Sequence, residues 1–391
     1  MSEHRRRVVI LDQVSGYAQI DIIEALKTEY DECILVAGEI RARNKPFPNE
    51  AYFDKIIPYS RNTFFQRIYT WLVGTFQMFW KVLFKYRDAR IIAISNPPFA
   101  IFIPWLLRCN YDIVIYDIYP DALVHMKYLK PTSWIVRSWE KLNKRVFRGA
   151  SRVMTLSDGM KRILSNYAQP NKIEVIPNWS FNSSLPQILK QNNAILKKIG
   201  VTNKFIISYS GNFGMTHPLE VLVELASKLN PNIFHVIVAG DGARKPIIEK
   251  AIEKIRPKNF SLLPWQPADQ LHHVLAMGDL GVVVLDDTAA NISIPSKTYD
   301  LLSAGTPILG ICSEASSLSI LLKDFDCGIS MSKEDLSAIL NFLKKVEEDS
   351  KLLKNLAENA LHASKYFNER YCNFWSWRIW ERSRYDHPQN K

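Results

Sequence analysis

The segment 294–310, IPSKTYDLLSAGTPILG, places a lysine where helix electrostatics disfavour one. Pro295 and Ser296 read as the opening of a short helix, Gly305 as its end, and TPILGI as a buried strand behind it; first-turn proline, capping serine and terminal glycine are the usual punctuation of such a unit. Lys297 then stands in the first turn, against the positive end of the helix dipole. A cation there makes sense when an anion sits in front of both.

Two other strand ends carry the same grammar. YSGNFGMTHPLEVL reads as a strand, a Gly211-Asn212-Phe213-Gly214 turn and a helix from near Pro218. Glycines let a backbone approach a phosphate closely, and a helix start adds N–H donors. His217, at the helix entrance, is placed to donate to a phosphate oxygen. VAGDGARKPIIEK repeats the pattern, with Gly240-Asp241-Gly242 followed by Arg244 and Lys245. Singly, each segment is equally an ordinary βα turn with a capping histidine, or solvated surface charge. Three such ends in one domain favour a phosphorylated ligand.

The elements that must hold these loops follow from hydrophobic patterning. RRVVILDQV, ECILVAGE, ARIIAIS, YDIVIYDIY, SRVMTLS and KIEVIPNW are strand-like runs separated by helical patterns. The alternation restarts with FIISYSGN, FHVIVAGDG, FSLLPWQP, LGVVVLDD, TPILGIC and CGISM after a polar, linker-like stretch at 180–204. β-branched runs punctuated by helices predict parallel sheets covered on both faces. The 391 residues are thus expected to form an α/β protein of two doubly wound domains, 1–180 and 181–366. Ligands of such sheets bind beyond the carboxyl ends of the strands, here in the cleft that two facing domains would form. The aromatic-rich stretch 367–391 is expected to be a C-terminal helix that needs another surface to cover it.

A net charge of +11 predicts attraction to polyanions. The basic residues are dispersed and no nucleic-acid module is present, so nucleic acid is not an expected partner. Cys33, Cys109, Cys312, Cys327 and Cys372 are scattered and lack metal-ligand spacing, which points to reduced thiols in a cytosolic compartment. The start, MSEHRRRVVILDQ, has too short an apolar run for a signal peptide, and the longest uncharged stretch, 69–80, is too short to span a bilayer.

The order SGNFG…H, VAGDG, LPWQP, DLGVVVL and PSKTYDLLSAGTPIL resembles the donor half of family-4 retaining glycosyltransferases of the GT-B fold. In the first half, DIYPDAL, VMTLSDGMKRIL and IEVIPNW resemble that family's acceptor domain. The similarity runs over roughly residues 7–367 and is nearest to enzymes that build bacterial surface polysaccharides. It implies two Rossmann-like domains, with the C-terminal helix crossing back to the first. It also implies transfer of a sugar from a nucleotide diphosphate to a glycan or lipid-linked acceptor with retention of anomeric configuration. The implied base is uridine, with guanosine as the alternative.

By the same resemblance, Gly211, Asn212, Gly214, His217, Arg244, Lys245, Ser296 and Lys297 meet the diphosphate; Gly240, Trp265, Pro267 and Asp300 meet the nucleoside. Gly16, Asp121 and His125 fall on the acceptor or sugar side, and Asp117 is the candidate first-domain catalytic carboxylate. For Asp117 and Asp121 loop capping is an even alternative, and His125 also reads as a helix-surface residue. Catalysis is expected from Lys297, His217 and Asp117, with no cofactor and no metal, because protein cations neutralise the leaving diphosphate. The chain departs from the family's paired glutamates: Asp300 replaces the second and Ile292 the first, while Asn212 and His217 stand where many members have Arg and Lys. Two lesser readings keep the fold, a nucleotide-sugar 2-epimerase and a catalytically degenerate binding partner in a polysaccharide assembly complex.

The insertion RNTFFQRIYTWLVGTFQMFWKVLFKYR sets Phe65, Tyr69, Leu72, Phe76, Phe79 and Leu83 at helical spacing between basic ends. Packing on the first sheet and peripheral contact with an anionic membrane are both open for it.

Overall fold

The computed structural model describes residues 5–41, 45–60, 63–125, 127–180, 188–286 and 294–367. The chain divides into two compact units, with the boundary between Pro177 and Asn178. The expected C-terminal helix lies outside the described residues from 368 onward.

Unit 1 holds β1 (Arg7–Leu11), the short β2 (Val14–Gly16), β3 (Glu32–Ala37), the short β4 (Glu39–Arg41), β5 (Ala51–Lys55), β6 (Arg90–Ile94), β7 (Tyr111–Ile115), β8 (Val153–Thr155) and β9 (Ile173–Val175). Seven of them form one sheet in the order β5-β3-β1-β6-β7-β8-β9, and β2 pairs with β4 apart from it. Every pairing is parallel. Strand β5 was not foreseen: AYFDK sits at the sheet edge with only Asp54 buried, so it lacks the apolar run that announces a central strand.

Unit 2 holds β10 (Phe205–Asn212), β11 (Phe234–Asp241), β12 (Phe260–Leu263), β13 (Leu280–Val284), β14 (Ile308–Ile311) and β15 (Gly328–Met331). Their order is β12-β11-β10-β13-β14-β15, all parallel. This is the doubly wound order, and it reverses between β10 and β13. Alternate residues serve opposite faces: Val282, Val284, Leu309 and Ile311 join one buried cluster, Val283 and Ile308 the other. Both faces are covered, which is why the strands read as unbroken apolar runs.

The insertion forms a 22-residue helix, Phe64–Lys85, capped by the Thr63 hydroxyl, which accepts from the Gln66 N–H. Its packed edge is Thr70, Gly74, Met78 and Val82, while Tyr69, Leu72 and Phe76 of the aromatic stripe face out. Gln13, just past β1, fixes it by donating from Nε2 to the Thr70 carbonyl at 2.7 Å.

Candidate functional site

The glycine loops of unit 2 are knotted together at the point where the strand order reverses. Gly211 and Asn212 at the end of β10 lie in register with Gly240 and Asp241 at the end of β11. Gly240 has φ +145, and a Cβ there would stand 1.9 Å from the Gly211 carbonyl oxygen, so only glycine allows the strands to close this tightly. The Phe213 N–H donates to the Asp241 carbonyl at 2.8 Å, and the Arg244 N–H to the Phe213 carbonyl at 3.0 Å. Phe213 is fully buried and roots the turn in the core.

His217 is fixed across the reversal. Its Nδ1 lies 2.9 Å from the Val284 carbonyl at the end of β13. A carbonyl only accepts, so Nδ1 carries the proton and Nε2 of the neutral ring is a lone pair. The Asp286 N–H donates to the Thr216 carbonyl at 2.9 Å, which ties the β13 loop to the same turn. A Cβ on Gly214 would lie 3.4 Å from the Asn212 amide nitrogen and 3.4 Å from His217 Cδ2, so these three residues share one small space. The His217 pKa is pushed down to about 4, first by burial and then by the nearby Lys297 charge.

Lys297 is the first residue of the helix Lys297–Ser303. Its ammonium lies 3.5 Å from the centre of the Tyr209 ring, is buried, and has no hydrogen-bond partner among the described residues. A side chain on Gly211 would come within 3.2 Å of Lys297 Nζ, so the glycine makes room for the lysine as well as for the turn. Burial holds the Lys297 pKa well below the ordinary lysine value. The Tyr209 ring compensates part of the lost hydration through its negative face. The site therefore gathers two glycine turns, an ammonium that has no hydrogen-bond partner among the described residues, and an imidazole able to take a proton.

Several expected residues also engage partners within unit 2. The Ser296 side chain makes no capping bond and its backbone is helical, because the turn already begins at Pro295, whose carbonyl accepts from the Thr298 N–H. Arg244 is committed elsewhere: its guanidinium pairs with Glu220 and donates to the Met215 carbonyl, bracing the turn from behind. Lys245 is 3.7 Å from Asp241, at the surface. Asp300 is buried, and its carboxylate accepts from the Ser180 hydroxyl at 3.2 Å, so it anchors the helix from beneath instead of presenting oxygens to solvent. Trp265 is 58% exposed in the loop after β12, and Pro267 is exposed beside it. Ile292 lies outside the described residues.

In unit 1, Asp117 is exposed at the end of β7, with its N–H donating to the Ser95 hydroxyl at 3.2 Å. Asp121 Oδ2 accepts from the Tyr167 hydroxyl at 2.6 Å. His125 is exposed at the end of the five-residue helix Asp121–His125. The Gly16 N–H is taken by the Gln19 side chain at 2.7 Å, closing the cap of the helix Tyr17–Leu26, and so is not offered to a ligand.

Tyr209, Glu220 and Asp12 escaped sequence reasoning. Tyr209 reads simply as a strand residue in the alternating pattern; two positions before Gly211, its ring borders the lysine. Glu220 looks like an ordinary helix-start acid. Asp12, just past β1, is buried and its pKa is raised well above the usual carboxylate value by burial. Among the described residues no group of three or more metal-ligating side chains occurs, and no helix is long and apolar enough to cross a membrane.

The chain is similar to known proteins over most of its length. Residues 191–363, within unit 2, match the family model described as "Glycosyl transferases group 1". The chain is 20% identical over 346 residues to "Probable glycosyltransferase WbjE" of Pseudomonas aeruginosa, covering 85% of this chain and 86% of that one. It is 32% identical over 157 residues to "Putative colanic acid biosynthesis glycosyl transferase WcaI" of Escherichia coli (strain K12), covering 39% and 38%. Among solved structures, Anabaena Alr3699/HepE in complex with UDP and glucose matches with a TM-score of 0.71 at 16% identity, covering 96% of this chain and 99% of that one. The fold is that of the GT-B glycosyltransferases.

Proposed function

We propose that the protein is a retaining glycosyltransferase that moves a sugar from a nucleoside diphosphate sugar to a hydroxyl of a glycan or lipid-linked acceptor in surface polysaccharide biosynthesis. The observation that carries this reading is the buried Lys297 ammonium, unpartnered at the strand-order reversal of a domain of the group 1 family. UDP is the proposed nucleotide, the one bound in the HepE complex.

In this reading the diphosphate sits against Gly211, Asn212 and Gly214 and supplies the anion that Lys297 lacks. His217, protonated on Nε2 once the diphosphate is present, donates to a phosphate oxygen while Nδ1 keeps its bond to Val284. Both cations neutralise the charge that builds on the diphosphate as the glycosidic bond breaks. The acceptor hydroxyl then attacks the same face of the oxocarbenium-like sugar, which retains configuration. Asp117 is the proposed contact from unit 1. Asp300 and Arg244 act as positioning residues, one under the Lys297 helix and one behind the glycine turn. Trp265 is the proposed neighbour of the base. Because protein cations do this work, turnover should survive EDTA.

Melting the protein with a panel of nucleotide diphosphate sugars is the direct test. A rise in melting temperature with UDP or its sugars is expected, followed by sugar release or transfer when acceptor is added. No response to any nucleotide would sink both this reading and that of an epimerase. Nucleotide binding with no turnover on any acceptor would favour the degenerate binding protein.

A further inference from the structure

Unit 1 shows two exposed faces on neighbouring helices, one aromatic and one basic. On the helix Phe64–Lys85, Tyr69, Leu72, Phe76, Trp80 and Phe84 recur at three- and four-residue spacing, and all are exposed, from 40% at Trp80 to 74% at Phe84. Trp80 and Phe84 stack with ring centres 5.1 Å apart, so this face has an ordered surface of its own. The edge that packs inward carries Thr70, Gly74 and Gln77: Gln13 donates to the Thr70 carbonyl, and the Ile57 N–H donates to the Gln77 side chain. Met78 and Val82 pack inward together with Thr70, Gly74 and Gln77, while the five large apolar residues of the opposite face meet solvent, where a helix that only covers a sheet carries polar ones.

The second face lies on the helix Trp134–Gly149. Arg137, Lys141, Lys144, Arg145 and Arg148 follow helical spacing and are all exposed, and Trp134 leads them at 76% exposure. Among the described residues none of these five cations is in an ion pair. The two helices are neighbours: Trp71 of the first and Trp139 of the second both pack on Tyr119, with ring centres 6.0 and 6.1 Å away.

We propose that this two-helix face is a docking surface for an anionic lipid bilayer. Tyrosine, tryptophan and phenylalanine on one face of a helix suit the headgroup and acyl boundary, and exposed lysine and arginine beside them suit anionic headgroups. The chain's net charge of +11 has the complementary sign. A second copy fits less well, because a two-fold interface centred here would bring like charges from both basic helices together. The surface lies outside the donor recess and deepens the proposed lipid-linked acceptor reading, since it would hold the enzyme at the surface where such an acceptor lies.

The test is co-sedimentation of the full chain with phosphatidylglycerol vesicles and with pure phosphatidylcholine vesicles. The wild type should pellet with the anionic vesicles and stay largely in solution with the neutral ones. The triple variant L72S/F76S/F84S should partition at least about tenfold less. The variant R137Q/K141Q/R145Q should also lose about tenfold or more at low salt, with little further loss as salt is raised. A wild type that ignores anionic vesicles, or variants that pellet equally well, would overturn the proposal. So would a dimer, seen by light scattering, that the triple serine variant dissolves. UDP binding and melting temperature, read on the same samples, should be unchanged in both variants; failure of UDP binding in the wild type would count against the donor reading and leave this surface standing.

Discussion

Lys297 rests its ammonium 3.5 Å above the ring of Tyr209 and, among the described residues, hydrogen-bonds to none. The pair spans the strand-order reversal of unit 2, one partner on β10 and the other at the start of the helix after β13. A buried cation without a counter-ion lowers stability in the empty protein, and that cost is recovered when an anion arrives.

Replacing the lysine should therefore separate stability from activity. Lys297→Met keeps the volume and removes the charge, so the protein should become about 1–2 kcal/mol more stable. Transfer should fall by about 10²–10³-fold or more, as for loss of a group that holds developing charge. Thermal melts and turnover on one preparation check both. A destabilised but active variant would remove Lys297 from the site.

His217 gives a pH signature. Its folded pKa is about 4 against an ordinary 6.5, so the unfolded chain binds more protons between these values. Stability should then rise with pH across that window and fall as the solution is acidified from 6.5 towards 4. His217→Gln, which keeps a donor for Val284, should flatten this limb of the melting curve. Ligand adds the opposite linkage: a bound diphosphate raises the histidine pKa, so UDP should bind with proton uptake and more tightly as pH falls from 7.5 towards 6 (about neutral to mildly acid). Calorimetry in two buffers of different ionisation heat reads the uptake directly.

The glycine knot predicts a steep steric effect. Gly240→Ala would put a methyl 1.9 Å from the Gly211 carbonyl oxygen at φ +145. Both the clash and the left-handed backbone oppose it, and a loss of about 1–3 kcal/mol or more is expected in chemical denaturation, with nucleotide binding lost even where the chain still folds. An alanine variant that binds UDP normally would show the loops to be looser than they stand here.

Arg244 and Glu220 should behave as one unit. The guanidinium holds Glu220 and the Met215 carbonyl behind the phosphate-facing turn. Arg244→Ala and Glu220→Ala should each cost about 1–3 kcal/mol of stability, and the double variant little more than either. Were Arg244 a direct diphosphate ligand, its loss would weaken UDP binding far beyond the loss at Glu220. A comparison of the two UDP affinities decides it.

The sheet architecture was legible because buried parallel strands must be apolar on both faces, as in LGVVVL at β13 and FHVIVAG at β11. Edge strand β5 was not, since Asp54 alone of its five residues is buried. At the site, the glycine turns and Lys297 announced themselves through residue types that are costly unless used. The partners of those residues did not. Whether Arg244 reaches a ligand or Glu220 depends on a contact across 24 positions, and Asp300 is taken by a serine 120 residues earlier. The Phe64–Lys85 helix is apolar nearly all round, so its pattern could not say which side packs; Gln13, holding the Thr70 carbonyl, decided that.

Ser180 has a consequence for how unit 2 could be handled as a part. Its N–H donates to the Phe367 carbonyl at 3.0 Å, and its hydroxyl to Asp300. Residue 180 is just inside the start of this unit and residue 367 just inside its end, so the chain enters and leaves through a single closed clasp. A polypeptide whose ends already touch is a natural candidate for circular permutation: the two could be joined by a short linker and the chain reopened at a surface loop, leaving the donor recess uncut.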